Sequence, residues 1–123
     1  MNPIELKART KTFALRIIKL TRAMPKNDDA ARVIAKQIVR RGTSVAANYR
    51  ASCRARSRAE FVSKIGTVEE ESDETALWLE LLIESGIIPA TKLSALLTEA
   101  NLLTEANSLT AIMASSRKTA SGK

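Results

Sequence analysis

Apolar residues recur along this chain at helical intervals. In the first stretch Leu6, Phe13, Ile17, Leu20 and Met24 follow one another at spacings of seven, four, three and four, which places them on one helical face. Pro25 closes that helix, because a proline pushes the residue before it out of the helical region. The pattern therefore predicts a helix from about Pro3 to Ala23, with residues 24–28 as a loop. Asp28 or Asp29 can cap a second helix, expected from about Ala30 to Arg54. Its stripe is Ile34, Ile38, Val45, Tyr49 and, four residues on, Cys53, which reads as a small core residue. Gly42 sits on the same stripe. A glycine inside a helix costs about 1 kcal/mol relative to alanine, so close approach of another helix, or a kink, is expected there.

Ser57 followed by Glu60 forms a capping box, in which each side chain satisfies a free backbone N–H at the start of a helix. The third helix is expected from Arg58 to Glu84, ending at Gly86 as a left-handed terminator. Phe61, Ile65, Val68, Ser72, Thr75, Leu79 and Leu82 repeat at four and three along it, a heptad seam. After Pro89 a fourth helix is expected from about Thr91 to Ala114, with Leu93, Leu96, Leu97, Ala100, Leu103 and Leu109 turned inward. Residues 1–114 read as one all-α domain, an antiparallel up-down-up-down four-helix bundle, because short links join long helices. Residues 115–123 lack an apolar period and read as a flexible basic tail.

One segment exceeds what a lone bundle can bury. From Leu77 to Ile83 only Glu80 is polar. A bundle helix turns only one stripe to its core, so Leu77, Trp78, Leu81 and Ile83 are candidates for an oligomer interface.

Composition narrows the chemistry. The 123 residues include 19 Ala and 13 Leu but only 4 Gly and 3 Pro, which favours helix and disfavours an all-β domain rich in tight turns. No His is present, which removes His-based acid–base chemistry, His metal sites and Ser–His or Cys–His pairs. The single cysteine cannot form an internal disulfide, so a reducing cytoplasm is the expected setting. No apolar run approaches the roughly 18 residues of a membrane span. The first residues show no signal-peptide pattern.

Charge divides the chain. Residues 1–58 carry 15 basic and 3 acidic side chains, and residues 59–114 carry 2 basic and 10 acidic. The tail adds +3, giving a net charge of +7 overall. Either the halves pair, within or between chains, or the basic half meets a polyanion. The candidate nucleic-acid-binding residues are Arg40, Arg41, Arg50, Arg54, Arg56, Arg58 and Lys64. Arginine binds phosphate in two-pronged fashion. Arg56 and Arg58 also adjoin the start of the third helix, where free N–H groups attract anions. The first helix adds Lys7, Lys11, Arg16, Lys19 and Arg22. With four aromatic residues in all, stacking on bases is weakly supported, and no motif for base-specific reading is present. The acidic run from Glu69 to Glu74 lacks the histidines of di-iron bundles and reads as a solvated or salt-bridged face. No catalytic residue, metal site or cofactor is expected.

Four stretches carry a family resemblance: Ile-Ile-Lys-Leu-Thr-Arg-Ala-Met-Pro (17–25), Gln-Ile-Val-Arg-Arg-Gly-Thr-Ser-Val-Ala-Ala-Asn-Tyr-Arg-Ala (37–51), Arg-Ala-Arg-Ser-Arg-Ala-Glu-Phe-Val-Ser-Lys-Ile-Gly (54–66) and Glu-Glu-Ser-Asp-Glu-Thr-Ala-Leu-Trp-Leu-Glu-Leu-Leu (70–82). Over about residues 4–112 the chain resembles the bacterial four-helix bundle proteins related to those encoded by intervening sequences in 23S rRNA genes. The resemblance implies a four-helix protomer and a ring-like homopentamer. Relatives include the accessory protein of diversity-generating retroelements, so RNA or DNA, and a protein partner such as a reverse transcriptase, are implied partners. The family's recurrent Asn corresponds to Asn48, for which the sequence leaves open a structural bond to a neighbouring helix terminus or link and a functional role. Where many relatives continue with an acidic residue and Gly, this chain has Arg50 and Ala51. The function expected is non-enzymatic, non-specific nucleic-acid binding through an Arg-rich face. The alternative is a structural or adaptor protein whose charges serve subunit pairing.

Overall fold

The computed structural model describes the backbone of residues 1–122 and the side chains of residues 1–115. It contains four helices: α1 (Pro3–Ala23), α2 (Asp29–Ser52), α3 (Arg58–Glu84) and α4 (Ala90–Gly122). No strand occurs among the described residues. The starts of α1, α2 and α3 have local causes. Asn2 and Glu5 form a reciprocal capping box on α1, with the Glu5 N–H donating to Asn2 Oδ1 at 2.8 Å. Asp28 accepts from the Ala31 N–H at 3.0 Å and caps α2. Ser57 accepts from the Glu60 N–H at 3.0 Å and caps α3. Only that half of the expected box forms, because the Glu60 carboxylate accepts from the Arg56 N–H instead. Gly86 turns the chain out of α3 at φ 79°, where a side chain would be strained.

Links of five residues reverse the chain at 24–28, 53–57 and 85–89. α1 packs along α2, α2 along α3 and α3 along α4, while α1 and α4 meet only sparsely. The core lies between the helices and holds Phe13, Ile17, Ile38, Val45, Ile65, Leu79, Leu82 and Leu103, all fully buried. Burying each such side chain contributes about 1.5–3 kcal/mol. Gly42 lies on the α1–α2 contact, where an added Cβ would come within 2.8 Å of Ile17. Close approach is therefore the reason for this glycine, and α2 runs through it without interruption.

The fourth helix departs from expectation in register and length. Its buried positions are Leu93, Leu96, Ala100, Leu103 and Asn107, again at three and four. Leu109, expected inward, is 54 % exposed, because the seam passes through Asn107 two residues earlier. Asn107 donates from Nδ2 to the Leu103 carbonyl at 2.7 Å, and its Oδ1 is buried without a hydrogen-bond partner among the described residues. A buried polar group of this kind costs stability and disfavours alternative registers. The helix also continues past Ala114 to Gly122. The side chains expected to form a flexible tail from residue 116 onward lie outside the described residues.

Candidate nucleic-acid interface

α1, the C-terminal half of α2 and the start of the link after it form a basic groove. Lys7 and Lys11 stand one turn apart on α1, Arg50 lies in the last turn of α2, and Arg54 follows in the link after it. The groove has a volume of about 410 Å³. Thr43, Ala46 and Ala47 complete its lining. The two alanines are what keep it open, since longer side chains there would fill it. No acidic side chain lines the groove. All four cations are solvent-exposed, and none takes part in a salt bridge among the described residues.

The cations named from sequence therefore separate. Arg50 and Arg54 face the groove. Arg41 turns the other way, toward α3, where Nη1 donates to Glu71 Oε1 at 3.4 Å and Nε lies 2.9 Å from Glu74 Oε2. Adjacent residues on a helix point about 100° apart, so Arg40, next to it, is left exposed. Arg56 and Arg58 are exposed at the α2–α3 link, and Lys64 is half-buried on α3. At the start of α3, where free N–H groups were expected to attract an anion, the Glu60 N–H donates to Ser57 and the Glu60 carboxylate accepts from the Arg56 N–H, so an acidic side chain already stands at that end. Lys7 and Lys11 complete the groove. Their four-residue spacing on the polar face of α1 was the sequence signal, but only packing shows which α2 cations they face.

Charge pairing between the two halves is limited. Arg9 grips Glu99 of α4 with both prongs, Nε to Oε2 at 2.9 Å and Nη2 to Oε1 at 2.5 Å. That hydrogen bond holds the Arg9 guanidinium above its ordinary pKa. Arg32 pairs with Asp29 within α2. Among the described residues Arg9, Arg32 and Arg41 are the cations held in salt bridges, which leaves most of the basic half unpaired. Asn48 donates to the Ser44 carbonyl of its own helix at 3.0 Å, rather than to a neighbouring helix or link.

Cys53 is not a core residue. It caps the C-terminus of α2 and is exposed, because the helix ends at Ser52 and the stripe runs out of the bundle there. Tyr49 behind it is buried, and both border an apolar pocket of about 400 Å³ that Leu6 and Phe61 help to line. Burial pushes the Tyr49 phenol from 10.0 up to about 12, with Cys53 adding to the shift. The folded state therefore holds the proton more tightly than the unfolded chain. The stabilising contribution is complete below pH 10 and is lost as pH rises toward 12. This is the only tyrosine, so tyrosinate absorbance reads it directly. The native protein is expected to titrate near 12 and the urea-unfolded chain near 10. A native midpoint at the unfolded value would show the phenol to be solvated.

Of the four candidate interface residues, Leu77 and Leu81 are exposed, at 48 % and 39 %. Trp78, expected among the surplus, packs half-buried against the core, as does Ile83. Among the described residues no group of three or more Cys, Asp or Glu side chains is placed to hold a metal. Among the described residues no helix is long and apolar enough to cross a membrane.

A four-helix, all-α chain with an unpaired cationic groove on one flank is the class that this arrangement defines. The model of the family described as 23S rRNA-intervening sequence protein matches residues 4–108, and the chain belongs to that family. Among solved structures it is similar to a crystal structure of a protein with unknown function from the S23 ribosomal protein family of Bacteroides thetaiotaomicron. The two are 33 % identical, with 83 % of this chain and 94 % of the other covered and a TM-score of 0.77. No curated protein matches the chain.

Proposed function

We propose that this protein is a non-enzymatic, cytoplasmic module that binds the phosphate backbone of RNA or DNA without sequence preference through the α1–α2 groove. The observation that carries this reading is the groove itself. Four unpaired cations from α1, α2 and the link after α2 line it, and no acidic side chain does. Lysine and arginine contacts to phosphate release counterions and need no base-reading element. Self-association belongs to the same reading, since Leu77 and Leu81 expose apolar surface on α3. A homopentameric ring is the form that the family resemblance implies. The adaptor alternative, with a protein partner such as a reverse transcriptase, is favoured by one observation, the pairing of Arg41 with acidic residues of α3.

The test is fluorescence anisotropy with labelled RNA and DNA oligonucleotides at low and rising salt. Backbone binding predicts affinity for both, independent of sequence and falling steeply with salt. Affinity no greater than that of a neutral control protein would refute it.

A further inference from the structure

Two faces of this molecule that share no lining residue with the α1–α2 groove complement each other. The first is the outer stripe of α3. Glu70, Asp73, Leu77, Leu81 and Glu84 are all exposed and follow at spacings of three, four, four and three, which is one helical face. Two leucines stand at its centre with acids at both ends. The second face is the seam where α1 and α4 meet only sparsely. A groove of about 330 Å³ opens there, floored by Leu20, Ile88, Leu93 and Leu96. Arg16 and Lys19 of α1 and Lys92 of α4 rim it, and no acidic side chain lines it. α4 begins at the same end of the groove, after Pro89, whose side chain cannot accept a capping hydrogen bond. Its first turn holds no acidic residue, so its dipole adds to the positive rim.

We infer that the acidic, leucine-centred face of α3 docks into the α1–α4 groove of a second copy of this chain. Leu77 and Leu81 enter the apolar floor, and Asp73 and Glu84 meet the cationic rim. An amphipathic helix laid in a hydrophobic groove is a recurring mode of recognition. Charge complementarity favours face in groove over groove against groove, since rim against rim repels. Within one molecule the two faces cannot meet, because α3 does not pack against α1 and its stripe faces outward. The contact joins different patches, so it is head-to-tail and each copy has one donor face and one acceptor groove. Lys7, Lys11, Arg50 and Arg54 take no part in it and stay open to nucleic acid.

The inference rests on the self-association proposed above and is tested with two variants. In Leu77→Ser/Leu81→Ser the donor face is lost. In Arg16→Glu/Lys19→Glu the acceptor groove is lost. All four positions are exposed or border the groove, and circular dichroism checks that helix content is unchanged. By light scattering the parent is expected to be larger than its single-chain 13.4 kDa. Each variant alone is expected to run as a monomer. Mixed, they are expected to form a one-to-one dimer and nothing larger, because only one intact face and one intact groove remain. Variants that assemble like the parent, or a mixture that stays monomeric, would overturn this docking while leaving self-association standing. A monomeric parent would overturn both.

Discussion

Reversing the charge of Arg50 and Arg54 together, as Arg50→Glu/Arg54→Glu, is expected to lower affinity for an oligonucleotide by at least about a hundredfold at low salt. Hydrogen bonds to charged groups contribute about 1.5–3 kcal/mol each. Losing two of them is worth about 3 kcal/mol or more, and each 1.4 kcal/mol is about a factor of ten. The new carboxylates would also repel the backbone that Lys7 and Lys11 still attract. Salt dependence gives a second readout. With four phosphates engaged on a single strand, the logarithm of affinity should fall against the logarithm of salt with a slope of about −2.8, and with two engaged about −1.4. Both arginines are exposed and unpaired among the described residues, so the fold should survive the change. Arg40→Glu, which alters an exposed cation outside the groove lining, is expected to have a much smaller effect. Parent-like affinity in the double variant would remove the groove from the binding site.

Two glycine-to-alanine substitutions should move stability in opposite directions. Both residues lie inside helices, where alanine is favoured over glycine by about 1 kcal/mol. At Gly66 an added Cβ meets nothing within 4 Å, so that gain should appear in full. At Gly42 the Cβ would sit 2.8 Å from Ile17 Cγ1, 2.9 Å from Cγ2 and 3.1 Å from Cβ. Ile17 is fully buried and β-branched, so it cannot rotate aside, and the helices must separate. Overpacking of this kind costs about 1–3 kcal/mol, which offsets the gain and leaves Gly42→Ala destabilised by up to about 2 kcal/mol. Gly42→Leu should be worse still. Urea denaturation midpoints report the sign directly. A rise for Gly42→Ala equal to that for Gly66→Ala would mean that α1 and α2 are not in close contact there.

Much of the fold was legible because its boundaries are set locally. Asp28, Ser57, Pro25 and Gly86 each act within one turn, and the bounds of α1 and α3 follow from such residues. What was not legible depends on packing. Leu109 looked like the better core residue, yet the three-and-four seam of α4 runs through Asn107. A leucine out of register stays in water, whereas an asparagine in register is buried. Cys53 continued the apolar stripe of α2 but lies where the bundle ends. Arg40 and Arg41 are neighbours in sequence, but only Arg41 points at α3 and meets Glu71 and Glu74. The candidate site was half legible for the same reason. Arg50 and Arg54 read as one helix face and both line the groove, although α2 ends at Ser52 and Arg54 lies in the link; their facing row, Lys7 and Lys11, became visible only once α1 lay beside α2.

The uneven packing of the four helices also governs how the chain reaches this fold. Every well-packed pair joins helices that follow one another in sequence, and the pair that does not, α1 with α4, is the sparse one. Each five-residue link closes a helical hairpin before any distant partner is needed, so little loop entropy opposes the early steps. Chains dominated by such local contacts cross the folding barrier in about microseconds to milliseconds. The Arg9–Glu99 pair spans ninety positions, so it closes the longest loop of the fold's salt bridges among the described residues and is expected to form late.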